Sequence, residues 1–348
     1  MIYIPDSTKK KAELISANKV YLPRSTRLPY PMEKSAAGPS SGTQSITLSF
    51  NDKHVKLAVS RDTKECFSLQ QNGENNCFQI LKKNILFLKN VRMVPILFHA
   101  PDQAFMNIEN RCIHNCAFCN LSNTKMADDG YDADYIAKLI LNASNRNDFK
   151  AVALTSGVYP NSKMIIRKMC HITKTIKKTL PSIPIGVEPL ITDREEIALL
   201  KKAGADEIKI NLQIPDRNLF KKICPGLSYD NILDMLIYAV KIFGEGKVTS
   251  NILYGLGETD DTVVQAVEKL AEIGVTATLR RIRINKLNKT KIEKSLLYKL
   301  PSNVSASRIL RLAVEQKKVF KKYGLTPETF KTMCHRCGCC DIVPFIDL

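Results

Sequence analysis

From Phe105 onward the chain repeats one unit: a short apolar run, a break carrying polar residues or glycine, then an amphipathic helical stretch. The apolar runs are Phe105–Ile108 (FMNI), Lys150–Thr155 (KAVALT), Ile183–Glu188 (IPIGVE), Glu207–Leu212 (EIKINL), Val248–Gly255 (VTSNILYG) and Thr276–Ile284 (TATLRRIRI). Runs this short, bounded by turn residues, read as strands. Asp132, Thr192, Ser228 and Thr259 stand before the helical stretches as N-caps, because a short side-chain oxygen accepts from the free N–H groups of a first turn. Gly204, Gly244 and Gly274 follow them as stop signals. Alternation of this kind forces parallel pairing with right-handed crossovers. Six strands are two short of a closed barrel, so the expected fold is α/β, a partial, open (β/α)6 TIM-like barrel over residues 101–285.

The flanks read differently. Residues 1–100 hold a Pro-, Ser- and Gly-rich lead-in from about Pro23 to Thr43, then short β-like runs (SITLSF, HVKLAVS, NILFLKN, MVPILFHA) that predict a small N-terminal β element. Residues 286–348 read as a basic helical region ending in a cysteine-rich tail. The start MIYIPDSTKKKAEL lacks the apolar core of a signal peptide, and no apolar run approaches the roughly 20 residues of a membrane span. With 348 residues the chain has no need of disulfide staples, so its 11 cysteines read as reduced thiols serving metal in a cytoplasm.

Sites on such sheets form at the C-terminal ends of the strands, and directly after the first strand comes NRCIHNCAFCN, a C-x3-C-x2-C triplet of Cys112, Cys116 and Cys119. Three thiolates this close can hold three irons of a [4Fe-4S] cube and leave the fourth without a cysteine from this motif. Zinc is the competing reading; His114 is its one nearby fourth ligand, awkwardly placed between the first two cysteines. Later strand ends carry Thr155, Ser156 and Gly157 (LTSG), Glu188, Asn211 and Gln213, then Gly255, Gly257 and Glu258 (YGLGET). Polar groups converging on one rim can bind a cofactor's amino acid, ribose and base. Singly each has a bland reading, Glu258 for example as a first-turn acid.

The tail carries Cys334, Cys337, Cys339 and Cys340 in MCHRCGCC. Soft thiolates in that number suit a second iron–sulfur cluster, with zinc as runner-up. Adjacent Cys339 and Cys340 can hardly both face one cube, so one is spare or Cys224 supplies a distant ligand. Cys170 reads as core, and Cys66 and Cys77 as unliganded loop residues. The net charge is +18, and Arg280 to Arg336 holds sixteen Lys/Arg against three acids. Such an end attracts an acidic partner, either RNA or an acidic carrier protein, or is a solvated helix face.

The triplet, with Phe118 before its last cysteine, resembles the cluster motif of the radical S-adenosylmethionine (SAM) superfamily. Together with VALTSG, GVEP, NLQ, ICPGLSY and YGLGET, in that order over roughly residues 105–325, it looks like lipoyl synthase and, more loosely, biotin synthase. The resemblance implies that Cys112, Cys116 and Cys119 hold a [4Fe-4S] cluster whose open iron chelates SAM, with Thr155, Ser156, Glu188, Asn211, Gln213, Gly255, Gly257 and Glu258 around the cofactor. The chain also departs from that family. The N-terminal C-x4-C-x5-C motif and the C-terminal Arg-Ser-Ser-Tyr signature are absent, Gln213 stands where the family has an acid, and Lys209 replaces an asparagine.

With a cysteine-rich tail instead, the arrangement resembles the archaeal two-protein type of lipoyl synthase. That implies an octanoyl chain on an acidic carrier such as glycine-cleavage H protein, a second radical SAM subunit, and an electron donor such as ferredoxin. The expected reaction cleaves SAM, abstracts hydrogen from an unactivated carbon and joins that carbon to a sulfide of a tail-bound cluster. The rivals are a radical SAM maturase or methylase for another cofactor, a biotin synthase, a tRNA-modifying sulfur transferase, and an iron–sulfur carrier. The tRNA reading is disfavoured because no RNA-binding module or aromatic-interleaved basic stretch is recognisable.

Overall fold

The computed structural model describes residues 2–34, 43–73, 76–121, 132–300 and 303–348. After helix α1 (Asp6–Ala17) come seven strands: β1 (Lys19–Tyr21), β2 (Glu33–Lys34), β3 (Gln44–Phe50), β4 (Lys53–Ser60), β5 (Phe67–Gln71), β6 (Phe78–Lys82) and β7 (Ile85–Met93). They pair in the order β2-β3-β4-β1-β5-β6-β7, and β7 returns to β3 through Leu48–Met93 and Ser49–Arg92. The expected small β element is therefore a closed barrel; its buried Leu48, Leu57, Leu69, Phe78 and Ile80 are continuous with the core of the main domain. Two-residue turns at Asn51–Asp52 and Lys83–Asn84, all with positive φ, join β3 to β4 and β6 to β7 in the sense that matches strand twist. Of the expected lead-in, residues 35–42 lie outside the described residues.

The main domain holds strands β8 (Gln103–Asn107), β9 (Ala151–Thr155), β10 (Ile185–Glu188), β11 (Glu207–Lys209), β12 (Val248–Tyr254) and β13 (Thr276–Arg281), all parallel and neighbouring in sequence order. The connecting helices are α2 (Ala133–Ala143), α3 (Ser162–Thr179), α4 (Arg194–Lys202), α5 (Arg217–Ile223), α6 (Tyr229–Phe243) and α7 (Asp260–Glu272). This is the partial six-stranded barrel. Asp132, Ser228 and Thr259 cap their helices as expected. The cap of α4 is Asp193, one residue later than expected, because Asp193 and Glu196 form a reciprocal capping box in which Glu196 also bonds the Thr192 N–H. β11 is also shorter than its apolar run: the chain turns after Lys209, reaching a φ of 67° at Gln213.

Three helices follow: α8 (Lys289–Leu296), α9 (Ala306–Tyr323) and the short α10 (Met333–Cys337). The segment around α10 crosses the N-terminal ends of the parallel strands. Gln103 of β8 exchanges bonds with the Met333 backbone (2.7 and 2.9 Å), Glu207 of β11 accepts from the Lys331 and Thr332 N–H groups (2.7 and 3.0 Å), and His335 reaches Thr249 Oγ1 of β12 at 3.0 Å. Residue 186 of β10 must be glycine, since a Cβ there would overlap the Thr332 hydroxyl. The tail is thus the floor of the barrel. Among the described residues, no helix is long and apolar enough to cross a membrane.

Candidate functional site

At the opposite end of the barrel, the loop after β8 folds over the strand tips. The Ile113 N–H donates to the Val158 carbonyl (2.8 Å), that of Ala117 to Ile223 (2.8 Å), and that of Gly157 to Glu109 (2.8 Å). Gly157 of LTSG has a reason to be glycine, because a Cβ would overlap the Arg111 carbonyl. Cys112, Cys116 and Cys119 are brought by this loop to one wall of a cleft, and Thr155, Ser156, Glu188, Asn211 and Gln213 line the rest with apolar neighbours such as Leu190, Ile210 and Ile232. Eight of the residues singled out in the sequence therefore share one cavity.

The thiols of the triplet differ in acidity. Cys224, expected as a distant ligand of the tail, instead lies beside Cys116; its thiol donates to Cys116 and lowers the Cys116 pKa against burial. Burial raises Cys112 and pushes Cys119 up to about 12, with the neighbouring cysteines adding to the rise at Cys119. Lys291 of α8 is the cation facing all three, and its Nζ also donates to the Cys116 carbonyl at 3.2 Å. His114 lines the cleft but lies against the 224–227 turn, where a Cβ on Gly226 would come within 3.1 Å of its Nδ1.

Across the cleft, Glu188 accepts from Asn211 Nδ2 at 2.7 Å and pairs with Lys209 Nζ at 3.3 Å. The same ammonium donates to Cys334 Sγ of the tail at 3.1 Å. Burial opposes the charge of Lys209, but Cys334 and Glu188 outweigh it and hold its pKa above the ordinary lysine value. A lysine in the middle of a buried apolar strand was the available signal of this link, since such a residue is buried only with partners.

Gly255, Gly257 and Glu258 are not among the residues lining the cleft. Both carboxylate oxygens of Glu258 accept from the backbone of its own loop, Gly255 at 2.6 Å and Leu256 at 2.8 Å, and Arg308 pairs with it at 2.9 Å. Val304 and Tyr298 lie so close to Gly255 and Gly257 that no Cβ fits at either. GLGE here is a braced turn into α7.

In the floor, the Cys339 thiol donates to Cys337, which brings the Cys337 pKa down to about 7. Cys334 turns to Lys209, and Arg280 of β13 feels both Cys334 and Cys340 while holding Asp341 at 2.7 Å. Arg281, the next residue on β13, also feels Asp341 and Cys340. Lys56 of β4 also faces Cys337 and Cys339, and its N–H donates to the Cys339 carbonyl at 2.8 Å. Among the described residues no three His, Cys, Asp or Glu side chains are gathered as tightly as the shell of a single metal ion.

The sequence model of the Radical SAM superfamily matches residues 106–270, which carry the triplet and the cleft. Biotin synthase from Streptococcus agalactiae serotype V is 30% identical over 242 residues, covering 65% of this chain and 69% of that protein. Lipoyl synthase from Glaesserella parasuis serovar 5 is 28% identical over 185 residues, covering 51% and 56%. The X-ray structure of the FeFe-hydrogenase maturase HydG from Carboxydothermus hydrogenoformans superposes with a TM-score of 0.51 at 17% identity, over 64% of this chain and 52% of that one. The chain thus spans just over half the length of that lipoyl synthase and of HydG, and the HydG likeness is one of fold. Family match, biotin synthase coverage and the rim position of the cysteines agree: the chain belongs to the radical SAM superfamily and is lipoyl and biotin synthase-like.

Proposed function

We propose that this chain is a sulfur-inserting radical SAM enzyme that thiolates unactivated carbons of an octanoyl chain presented by an acidic carrier protein, acting with a partner subunit. Membership of the superfamily implies a [4Fe-4S] cluster and SAM. The residues present fit both. The rim thiols are soft donors on one wall of a cleft, with a lysine opposite to offset their charge, and the facing wall supplies a carboxylate, a carboxamide and hydroxyls. When bound, the pair supplies a one-electron cleavage of the sulfonium that yields methionine and a 5′-deoxyadenosyl radical.

The protein's own residues orient and shield. Glu188, fixed by Asn211 and Lys209, is an anionic acceptor suited to the ammonium or ribose hydroxyls of SAM. Thr155, Ser156 and Gln213 add neutral hydrogen-bonding groups. Leu190, Ile210, Leu227 and Ile232 keep water from the reacting carbon. One observation carries the sulfur-insertion reading: Lys209 joins the carboxylate of the SAM cleft to a cysteine of the tail in two contacts of 3.3 and 3.1 Å. A tail that forms the barrel floor and reaches Glu188 through Lys209 supports reading it as the sulfur source. Four soft thiols beside Arg280 and Lys56 suit a second iron–sulfur cluster there.

The test is mass spectrometry of an octanoyl-lysyl carrier after incubation with reconstituted protein, dithionite and SAM. A mass gain matching sulfur is expected. Deoxyadenosine without any change in the carrier would leave only the superfamily chemistry and remove the sulfur-insertion reading.

A further inference from the structure

The basic C-terminal region divides in two when its partners are examined. On α9 most of the charges are spent within the molecule, exposed Lys321 excepted: Arg308 and Arg311 grip Asp260 of α7 (both 2.6 Å), Lys322 holds Glu268 (2.5 Å), and Lys318 holds Glu315 of its own helix (2.7 Å). Around α8, the side chains of exposed Lys286, Lys289, Lys294 and Lys299 have no ion-pair or hydrogen-bond partner among the described residues. Between them stand Leu287, Leu297 and Tyr298, which are 50, 85 and 43% exposed. Leu297 also occupies the left-handed C-cap of α8, with φ 65°, where glycine or asparagine is the economical choice. A leucine kept in that backbone conformation and in water serves something outside the fold. The inner face of α8, meanwhile, grips the cysteine loop: Lys291 donates to the Cys116 carbonyl (3.2 Å) and Asn288 to that of Phe118 (3.0 Å).

We infer that the outer face of α8 and the turn after it, residues 286–299, are the docking surface for an acidic one-electron carrier protein. The inference rests on the proposed SAM chemistry, in which one electron taken from that carrier is consumed as the sulfonium C–S bond breaks to methionine and the adenosyl radical. A donor seated there is separated from the cysteine loop by a single helix, about 10 Å across. Unpaired lysines around an apolar centre steer an acidic partner and release it readily, as transient redox encounters require. Two leucines and one tyrosine make an apolar anchor, and do not make the series of aromatic platforms that single-stranded nucleic acid uses.

The test measures anaerobic binding of a plant-type [2Fe-2S] ferredoxin, chosen for strong negative charge, together with ferredoxin-driven and dithionite-driven deoxyadenosine formation. Reversal of Lys286, Lys289, Lys294 and Lys299 to Glu is expected to raise Kd about tenfold or more at low salt and to slow the ferredoxin-driven reaction alone. Reversal of exposed Lys163, Arg167, Lys174 and Lys178 on α3 is the charge-matched control and is expected to leave both unchanged. Leu297→Gly is expected to stabilise the fold while weakening ferredoxin binding, a pairing that a purely structural residue would not give. Equal weakening by the two reversals overturns the inference, as does Leu297→Gly with unaltered affinity. Loss of octanoylated-carrier binding with ferredoxin binding intact also overturns it and assigns the face to the substrate. No deoxyadenosine with dithionite counts against the SAM chemistry, whereas the binding results judge the surface.

Discussion

The two cysteine sets sit at opposite ends of one barrel and are built differently. The rim triplet hangs on a loop over an open cleft, faced by Lys291 and, across the cleft, by the polar strand ends that carry Thr155, Glu188 and Asn211. The tail set is enclosed by Lys56, Lys209 and Arg280, and its last turn is fastened by Asp347, which takes Lys11 at 2.7 Å and the Val343 N–H at 2.7 Å. A site that must exchange a cofactor for each turnover needs access; a site that stores a donor needs a fixed position and charge compensation. Under the proposed function the difference corresponds to a division between cofactor cleavage and sulfur supply, and it can be broken by mutation. Single Cys112→Ala, Cys116→Ala or Cys119→Ala changes are expected to abolish deoxyadenosine formation and with it everything downstream. The double change Cys337→Ala with Cys339→Ala is expected to leave deoxyadenosine formation and remove the sulfur-bearing product. The assignment of roles is falsified if the tail double variant retains full thiolation of the carrier.

Lys209 is the link between the two ends, so its removal sharpens the comparison next. Lys209→Met keeps length and apolar volume while stripping Glu188 and Cys334 of their shared cation. Breaking one side of a buried pair costs on the order of 3 kcal/mol. The expected result is a lower urea midpoint together with weaker SAM retention, because the carboxylate loses one of its two anchors. An unchanged midpoint with normal SAM binding would show that the two ends are independent.

Much of this was legible in the sequence, and the illegible parts share a cause. The six parallel strands and most of their caps follow from periodicity and from residues within one turn of each helix end, which are local facts. The closed N-terminal barrel was less visible because its strands are short and β6 meets β7 with register shifts. Helix α1 escaped notice because DSTKKKAELISA has few apolar residues; it buries Lys11 against Asp347, 336 positions away. The eight cleft residues were readable because strand ends define a rim. The bracing of Glu258 by Arg308 and the pairing of α9 with α7 were not, since their partners lie about 50 residues off and only the fold brings them together. Spacing reveals which side chains can share a face; it does not reveal which of them are already spoken for.

The smallest expected effect concerns the brace between the N-terminal barrel and the floor. Glu33 pairs with Lys56 at 2.6 Å and with His99 Nδ1 at 2.9 Å, and Lys56 also donates to the His99 carbonyl at 2.6 Å. Burial, helped by the Lys56 charge, lowers the His99 pKa from its ordinary 6.5, despite Glu33. The folded protein therefore resists protonating His99 while the unfolded chain takes up the proton as pH falls through 6.5, so stability is full above that pH and declines below it until the lowered folded value is reached. Glu33 acts in the same sense further down: its bonds from His99 and Lys56 outweigh burial and hold its pKa below the usual 4.5, so its contribution is present above 4.5 and lost as pH falls through the folded value. Urea midpoints at pH 7 and pH 5.5 are expected to differ in the wild type and to differ less in His99→Gln, which cannot take up the proton in either state; the remaining difference belongs to His54, His114 and His335, whose pKa values burial also lowers. Because Lys56 also faces Cys337 and Cys339, this acid sensitivity belongs to the tail end of the barrel, and deoxyadenosine formation at the rim is expected to be the same in His99→Gln and wild type at pH 7. A matching loss at the rim would mean that the brace also holds the cleft, and would weaken the division between the two ends.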